Sequence, residues 1–418
     1  MIKIATFATE HADDDTSRLI LDREKWPDID MSIAVNSIEG RRKLKGKVSQ
    51  WHDCPGLVFP LKLSAEQCSS SATALYKSSL AEKIAGRAEW RIADLTGGLG
   101  VDSWFFSLKA ARVLYNERME ILCEAARHNF KVLKAGNIEI SNFTVVSSDK
   151  RCECAEKTPS MILEGFSPDI VYMDPARRSE TGRKVFLIED CSPDVLTLKD
   201  EIFEICRHIL IKLSPMADIS MVCSRLGKTC REVHVTSYGG ECKELLIWMD
   251  KEWDEDYTVT ASEIGNGGSI SSFCFIPSEE KNARAVPFVL NDVNDDMYLF
   301  EPGKALMKAG PFNLISERYG LSKLGVSTHL YMTGDSSVAD ELKKLGKLFR
   351  IKKILPLDKR NIKAVGKEFP KAEVTARNIP MDSETLRKKL GTTSGDDAHI
   401  FGLKSDHDGN LIFITDRI

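Results

Sequence analysis

Long apolar runs are absent from this sequence of 418 residues, and none reaches the ~18–20 residues that a membrane-spanning helix needs. The first fifteen residues, MIKIATFATEHADDD, lack the basic start of a secretory signal and turn acidic. Eleven cysteines occur, but no CxxC pair, and only Cys152 and Cys154 lie close together. We therefore expect a cytoplasmic protein with reduced thiols and with no membrane span, disulfide framework or metal site.

Internal repeats and low-complexity tracts are also absent, which argues against a repeat architecture. Hydrophobic residues make up 42% and charged residues 29%, as in an ordinary globular chain of two or three domains. The net charge of −4 is uneven, because residues 303–418 carry 21 Lys and Arg against 14 Asp and Glu. This basic C-terminal part suggests a polyanionic partner, although a solvated surface explains it about equally well.

Short apolar runs alternate with helical patterns between residue 90 and about residue 250, which predicts strands separated by helices. The last two runs are joined by SYGGE, a hairpin signal. We therefore predict an α/β fold with a Rossmann-like, doubly wound, seven-stranded sheet that has one antiparallel edge strand. The predicted strands are WRIADL, RVLYNE, FTVVSSD, DIVYMD, HILIKLS, EVHVTSY and CKELLIWMD.

Four regions follow from changes in pattern along the chain. Residues 1–65 are predicted to be helical, and residues 66–255 contain the sheet. Residues 256–325 include the loop-like EIGNGGSISS and the acidic NDVNDDMY, and we interpret them as a linker with a small subdomain. Residues 326–418 combine strand-like runs with helices, which predicts a small α+β domain.

The stretch 91-RIADLTGGLGVDSWFF-106 places an acid, a glycine turn and a helix start at one point. In a doubly wound sheet, ligands bind beyond the carboxyl ends of the strands. Gly97, Gly98 and Gly100 allow a tight turn that a ligand can approach closely. The free N–H groups at the start of the next helix face the same place. The sequence therefore predicts a ligand site at this turn.

Two classes of ligand compete for such a turn. A nicotinamide dinucleotide, as in a dehydrogenase, favours G-x-G-x-x-G with its pyrophosphate on the helix N-terminus. Here Ser103 stands where the third glycine would be, and the carboxylate of Asp94 would repel a pyrophosphate. S-adenosylmethionine carries an ammonium group and no phosphate, so Asp94 favours it. Glu117 ends the second predicted strand and can accept hydrogen bonds from ribose hydroxyls, and Asp149 ends the third and could bind the adenine amino group.

The pattern 94-DLTGGLGVD-102 resembles motif I of class I S-adenosylmethionine-dependent methyltransferases. The segment 66-EQCSSSATALYK-77, just before it, also resembles a cofactor element of these enzymes, whose Gln67 and Lys77 would reach the methionine carboxylate. A polar helix face explains these two residues almost as well. The resemblance implies that S-adenosylmethionine is held by Gln67, Lys77, Asp94, Thr96, Gly97, Gly98, Gly100, Asp102, Glu117 and Asp149.

The fourth predicted strand ends in 173-MDPARRSETG-182. In methyltransferases that act on amino groups of nucleic-acid bases, this place holds a D/N-P-P-aromatic motif, which grips the amine and stacks on the base. The resemblance implies that the side chain of Asp174 and the carbonyl of Pro175 hold an amine. Ala176 and Arg177 depart from the motif, so Arg177 would stack on the base, or Arg177 or Arg178 would hold a phosphate. A salt bridge to a neighbouring acid would explain Arg177 too.

The whole chain resembles a bacterial family of methyltransferases with a THUMP-like C-terminal domain. Besides the motifs above, 301-EPGKALMKAG-310, 328-THLYMTGD-335 and 374-VTARNIP-380 carry this resemblance. It implies a small ferredoxin-like unit before the THUMP-like domain, and an RNA substrate such as tRNA or rRNA. The lysine-rich stretch 343-KKLGKLFRIKK-353 offers phosphate contacts in that domain.

The function predicted from the sequence is transfer of a methyl group from S-adenosylmethionine to a base amine of RNA. Two alternatives stay open. The enzyme would methylate a small molecule or a protein, or the chain would bind RNA without catalysis and keep a relic cofactor pocket. The departure from D-P-P-aromatic at Ala176 and Arg177 is what leaves the last alternative open.

Overall fold

The computed structural model describes residues 1–149, 153–177, 187–290 and 296–418. The chain divides into two compact units. Unit 1 comprises residues 1–233 and 243–257, and unit 2 comprises residues 234–242 and 258–418. Among the described residues, no helix combines the length and the apolar character that crossing a bilayer requires.

Helices fill the N-terminal part of unit 1. Two of them begin at an aspartate that accepts a backbone hydrogen bond, Asp15 from Ser17 (2.9 Å) and Asp30 from Ile33 (3.1 Å). The helix that leads to the sheet begins with a capping box at Ser70. The helices are α1 (Ile2–Glu10), α2 (Thr16–Leu21), α3 (Met31–Leu44), α4 (Ser49–His52), α5 (Lys62–Gln67) and α6 (Ser71–Ala85).

Unit 1 also contains a series of strands, two of which extend across its boundary with unit 2. They are β1 (Arg91–Asp94), β2 (Arg112–Asn116), β3 (Ile138–Ser141), β4 (Thr144–Val145), β5 (Glu156–Lys157), β6 (Ile170–Met173), β7 (Ala176–Arg177), β8 (Cys191–Ser192), β9 (His208–Leu213), β10 (Cys230–Tyr238) and β11 (Glu241–Asp250).

A mostly parallel sheet forms the centre of unit 1, with the strand order β11-β9-β6-β1-β2-β3. The strands from β9 to β3 in that order run parallel, whereas β11 runs antiparallel to β9. This confirms the predicted doubly wound α/β sheet, but the antiparallel strand β11 lies between β9 and β10 and not at the edge where it was predicted. The number of strands differs from the predicted seven, because nine strands among the described residues belong to this sheet.

The third strand of the sheet is not the one that the sequence suggests. The apolar run FTVVSSD was predicted to pair beside β2, but β3 takes that place and pairs Val113 with Ile138. Only β4 forms within the predicted run, and it pairs with β5 outside the main sheet. The prediction that Asp149 closes the third strand is therefore wrong, because β3 ends at Ser141.

Helices connect the strands of unit 1. They are α7 (Val101–Ser107), α8 (Glu120–Val132), α9 (Pro159–Ile162), α10 (Val195–Phe203) and α11 (Ile219–Leu226). The N-terminal helices are attached to α8 through Asn129, a fully buried residue that exchanges two 2.8 Å hydrogen bonds with the backbone of Val58. Trp51 packs edge-on against Trp104 of α7, with ring centroids 6.1 Å apart. Residues 1–65 thus share a core with the sheet.

Unit 2 contains a hairpin and a second, eight-stranded sheet among its described residues. The hairpin pairs β12 (Thr258–Ile264) with β13 (Ile270–Phe275). The second sheet has the order β14-β16-β17-β15-β18-β21-β20-β19. Its strands are β14 (Val286–Pro287), β15 (Tyr298–Pro302), β16 (Ser322–Lys323), β17 (Tyr331–Thr333), β18 (Gly346–Pro356), β19 (Lys371–Arg377), β20 (Thr393–Ser405) and β21 (Gly409–Arg417).

The second sheet carries two apolar clusters. The helices of unit 2 are α12 (Pro277–Asn282), α13 (Lys304–Ala309), α14 (Leu314–Tyr319), α15 (Ser336–Leu342), α16 (Lys359–Glu368) and α17 (Ser383–Leu390). The cluster centred on Phe349, Phe401 and Phe413 is built from strands and loops, whereas α16 and α17 contribute to the one centred on Leu386 and Ile400. Unit 2 therefore combines strands and helices, and it includes residues 258–325, which the sequence analysis interprets as a linker with a small subdomain.

Candidate active site

The glycine turn lies between β1 and α7, and two of its glycines are required by packing. A Cβ on Gly97 would lie 2.2 Å from the ring of Tyr115, and a Cβ on Gly100 would lie 2.8 Å from the ring of Phe130. Gly98 and Gly100 also adopt positive φ angles, 53° and 92°. The turn is thus held against β2 and α8 by aromatic side chains, which the sequence analysis did not anticipate.

Asp94 ends β1 directly beneath this turn and is 1% exposed. Its carboxylate accepts hydrogen bonds from the hydroxyl of Ser103 (2.6 Å) and the backbone N–H of Thr96 (3.0 Å). Burial raises the pKa of Asp94 to about 7, against the lowering effect of these hydrogen bonds. An electron-rich, poorly solvated carboxyl group that also lines a cavity favours a positively charged ligand.

Glu117 follows β2 and reaches the other side of the turn. Its Oε2 accepts a hydrogen bond from the N–H of Gly98 (3.0 Å), and its Oε1 accepts one from the N–H of Met119 (2.9 Å). Each oxygen keeps a further lone pair for a ligand hydroxyl. The hydroxyl of Tyr115 donates to the carbonyl of Gly98 (2.6 Å), so both polar groups of this glycine are fixed.

Asp102, in the first turn of α7, joins a buried charge network. Its carboxylate accepts hydrogen bonds from the hydroxyls of Ser69 and Tyr172, both at 2.9 Å. The ammonium of Lys77 lies 3.3 Å from Asp102 and 2.8 Å from Glu244. Burial alone would raise the pKa of Asp102, but Lys77 and a second lysine of the site outweigh it and lower that pKa.

Lys77 is therefore not where the sequence analysis expects it. It is 0% exposed, and it is not among the described residues that line the cavity. Its ammonium also donates to Ser69 (2.9 Å), so it supports Asp102 and Ser69 from behind the cavity wall. Direct contact with a ligand would require this buried ion pair to break.

Asp174 follows β6, lines the cavity and forms an ion pair with Lys212. The pairing follows from the register of the parallel strands, which places Met173 beside Ile211, so that the next residue of each strand is adjacent. Burial would lower the pKa of Lys212, but Asp174 and the other acids raise it well above its usual value. The backbone N–H of Asp174 donates to the hydroxyl of Thr96 (2.6 Å), which connects this end of the site to the glycine turn.

A cavity of about 880 Å³ gathers most of the predicted site residues, and its size suits a nucleoside-sized ligand. Asp149, which is exposed, and Lys77 do not line it. Arg177 lies in β7, which pairs with β8, while the predicted alternative Arg178 lies outside the described residues. The predicted residues that line the cavity are Gln67, Asp94, Thr96, Gly97, Gly98, Gly100, Asp102, Glu117, Asp174 and Pro175.

Sequence reasoning missed Lys212, Glu244 and Tyr172. A signal for two of them was available, because 209-ILIKL-213 and 244-ELLIWM-249 each place one charged residue in an otherwise apolar strand. A charge in a buried strand needs a partner, which points to an ion pair in the interior. The partner itself depends on the order of the strands in the sheet. Among the described residues, no group of three His, Cys, Asp or Glu side chains could hold a metal ion.

The fold and the glycine-turn cavity define a protein with a methyltransferase-type α/β sheet followed by an α+β module. Residues 298–338 match the model of a ferredoxin-like domain, and residues 346–417 match that of a THUMP-like domain. The crystal structure of a "putative methyltransferase" from Porphyromonas gingivalis W83 is similar over 99% of this chain and 97% of that one, with 29% identity and a TM-score of 0.82. The predicted resemblance to methyltransferases with a THUMP-like C-terminal domain is confirmed.

Further solved structures resemble only part of the chain. SMU.1697c, a "putative methyltransferase" from Streptococcus mutans in complex with SAH, is 13% identical over 41% of this chain and 96% of that one, with a TM-score of 0.28. The hMettl16 catalytic domain in complex with an RNA hairpin is 11% identical over 44% of this chain and 71% of that one, with a TM-score of 0.33. At these scores neither structure supports an argument about this chain. No curated protein sequence matches it.

Proposed function

We propose that this protein transfers a methyl group from S-adenosylmethionine to an amino group of an RNA base. The observation that carries the proposal is the cavity at the glycine turn, which is lined by the three acids Asp94, Glu117 and Asp174. Acids that follow two neighbouring parallel strands suit a nucleoside with a positive charge, and they disfavour a pyrophosphate. The likeness of the whole chain to the Porphyromonas gingivalis protein supports the same class of reaction.

The residues around the turn fit the proposed cofactor. Glu117 would accept hydrogen bonds from the ribose hydroxyls, and Asp94 would face the positively charged part of the molecule. Gln67 lines the cavity and would approach the amino-acid part, with Ser69 and Asp102 held in place by Lys77. S-adenosylmethionine supplies a methyl group on a sulfonium, which is a strong electrophile and needs little further activation.

Asp174 and Pro175 would hold the acceptor amine at the other end of the cavity. Transfer to an amine depends mainly on alignment of the nitrogen with the methyl group, so orientation supplies most of the acceleration. Lys212 holds the carboxylate of Asp174 in place, and the hydrogen bond from Asp174 to Thr96 fixes its backbone relative to the glycine turn. Asp174 would accept a hydrogen bond from the amine and receive the proton that is released after transfer.

The C-terminal unit supports RNA as the substrate. Residues 346–417 match a THUMP-like domain, and the region 303–418 carries a surplus of seven positive charges. Exposed lysines on β18 and α16, including Lys352, Lys353 and Lys363, offer contacts to phosphates. Such contacts provide affinity without reading the base sequence, so the choice of nucleotide would be made in the cavity.

The test is to incubate the protein with S-adenosylmethionine labelled in its methyl group and with total RNA, and then to analyse the nucleosides by mass spectrometry. We expect label in one methylated nucleoside, with no label when Asp174→Ala replaces the wild type. That variant should still bind S-adenosylmethionine in calorimetry, because Asp174 lies at the acceptor end. Label in protein or in small molecules alone would contradict an RNA substrate, and the absence of any cofactor binding would contradict the enzyme.

A further inference from the structure

A second concave surface of unit 1 lies at the C-terminal end of α8, beside the strand β3 at the edge of the sheet. It is a groove of about 550 Å³. Three of the side chains that line it are cationic, Arg127, Lys131 and Lys134, and no carboxylate is among the described residues of its lining. The floor is apolar and includes Phe130 and Ile138. We call this surface the α8 groove.

The three cations of the α8 groove point to one ligand type by their spacing. Arg127 and Lys131 are four residues apart and share one face of α8 at about 5–6 Å. Lys134 follows the end of the helix and lines the same groove. All three are exposed, and none forms an ion pair with a residue in the described part of the chain. A row of cations without acids between them is complementary to the successive phosphates of a nucleic-acid strand.

Lys134 adds an independent observation, because it occupies a backbone conformation that favours glycine. Its φ is 56°. The N–H of Lys134 donates to the carbonyl of Lys131 (3.2 Å), and the N–H of Ala135 donates to that of Phe130 (2.9 Å). These two bonds form a Schellman motif, whose left-handed residue is usually glycine. The chain therefore has a lysine in the groove at a position where glycine would make the more stable helix end.

The helix dipole is the simplest alternative explanation for these cations. Positive side chains near the C-terminus of a helix stabilise it, and Lys131 lies in the last turn of α8. The dipole does not favour lysine over glycine at the left-handed position, however. The effect of the dipole is also confined to the last turn of a helix, and Arg127 lies before the last turn of α8. The two explanations differ in what they predict for the stability of variants at Lys134.

We propose that the α8 groove binds the phosphate backbone of the RNA substrate, outside the nucleotide that is methylated. Met119 and Leu122, at the start of α8, line the cofactor cavity. Since α8 has 13 residues, its two ends lie about 20 Å apart. One RNA strand can span this distance, with its target nucleotide in the cavity and flanking phosphates in the groove. The inference rests on the proposed function and names a contact in addition to the C-terminal unit.

Lys134→Gly is the decisive variant, because it removes the charge and relieves the left-handed conformation. We expect an equal or higher melting temperature together with weaker binding of bulk tRNA in fluorescence anisotropy. The variant Arg127→Gln/Lys131→Gln/Lys134→Gly should weaken binding at least about tenfold, and should lower the slope of log K against log salt by about 2–3. Arg23→Gln/Lys45→Gln, at exposed sites of the N-terminal helices, is the control and should leave the slope unchanged.

The outcomes separate this inference from the proposed function. If the triple variant binds tRNA with the affinity and salt slope of the wild type, the α8 groove does not contact phosphates, while RNA methylation can still hold. If a poly-glutamate peptide binds the wild type through these residues and tRNA does not, the groove binds acidic protein and our inference is wrong. If the wild type does not bind RNA and methylates another substrate, the RNA part of the proposed function fails as well. All variants should bind S-adenosylmethionine like the wild type.

Discussion

Lys77 and Glu244 are 167 positions apart in the sequence, yet they form an ion pair of 2.8 Å in the interior of unit 1. The side chains are 0% and 3% exposed, so neither charge is screened by water. Breaking a buried pair costs much more than an exposed pair contributes, because the remaining charge stays unsolvated. The pair therefore connects α6 to β11 behind the cavity.

The first prediction concerns this pair. Lys77→Met leaves both Glu244 and Asp102 without their ammonium partner, and should lower the free energy of unfolding by about 3–5 kcal/mol. Urea titration monitored by circular dichroism measures this change. Lys228→Met, which breaks an exposed pair with Asp254, is the control and should have little effect. A full recovery of stability in Lys77→Met/Glu244→Leu is not expected, since Asp102 remains. Equal effects of the two single lysine variants would show that the buried network contributes no more than a surface pair.

The second prediction concerns the protonation of Asp94, whose pKa of about 7 lies above its value in an unfolded chain. In the unliganded protein, the protonated form adds stability at low pH, and this contribution is lost as the pH rises through about 7. The free energy of unfolding should therefore fall by up to about 1.4 kcal/mol per pH unit from this group between about pH 4 and pH 7, and level off above pH 7. Asp94→Asn should flatten that part of the profile, as measured by urea titration between pH 5 and pH 8.

The third prediction concerns a positively charged ligand, which should favour the ionised form of Asp94 instead of the protonated form. S-adenosylmethionine should bind more tightly as Asp94 ionises and should release a proton near pH 7. Calorimetry in two buffers of different ionisation enthalpy detects the proton. Asp94→Asn should bind more weakly and release none. Proton release that persists in this variant would mean that another group carries the coupling.

The fourth prediction concerns Gly97, where a Cβ would collide with the ring of Tyr115 at 2.2 Å. Gly97→Ala should destabilise the protein by about 1–3 kcal/mol and weaken cofactor binding, because the turn must move away from β2. Gly136→Ala is a matched control, since its Cβ would meet no atom within 4 Å and its φ is not in the left-handed region. The double variant Gly97→Ala/Tyr115→Leu should regain part of the stability. Thermal unfolding of the four proteins decides whether packing is the reason for this glycine.

The fifth prediction separates the two ends of the cavity. Lys212→Met leaves Asp174 without the group that orients it, and should slow methyl transfer by about 100-fold while S-adenosylmethionine binds as before. Lys212→Arg should restore part of the rate, since it returns a cation to the same place. Comparable losses of kcat in both variants, with unchanged pH profiles, would mean that Lys212 only supports the fold.

The cavity-lining residues that the sequence brings together are close to one another in the chain. Asp94, the glycines and Asp102 lie within nine residues, so a motif reveals them together. The partners Lys212 of Asp174 and Glu244 of Lys77 depend on which strands are neighbours in the sheet, and no local pattern contains that information. This is also why Lys77 was expected in the cavity and is found behind it.

The misplaced third strand has a different cause. FTVVSSD is the denser apolar run and has the higher β propensity, so it was chosen over 138-IEIS-141. The observed strand alternates apolar and polar residues and lies at the end of the strand order in unit 1, where one face is accessible to water. An edge strand needs fewer apolar residues than a central one, and apolar density was therefore a poor guide here. The role proposed for Asp149 depended on this choice.

The two hydrogen bonds between Asn129 and Val58, together with Trp51 against Trp104, have a consequence for the evolution of this architecture. The N-terminal helices contribute Leu63, Ser64 and Gln67 to the cavity wall, and they bury the helix that follows the glycine turn. Recombination that exchanged the first 65 residues between unrelated proteins would remove part of the apolar core that covers the sheet of unit 1. We expect these helices to have been inherited together with the sheet as one module, and a gene fragment that begins after them to yield an insoluble product.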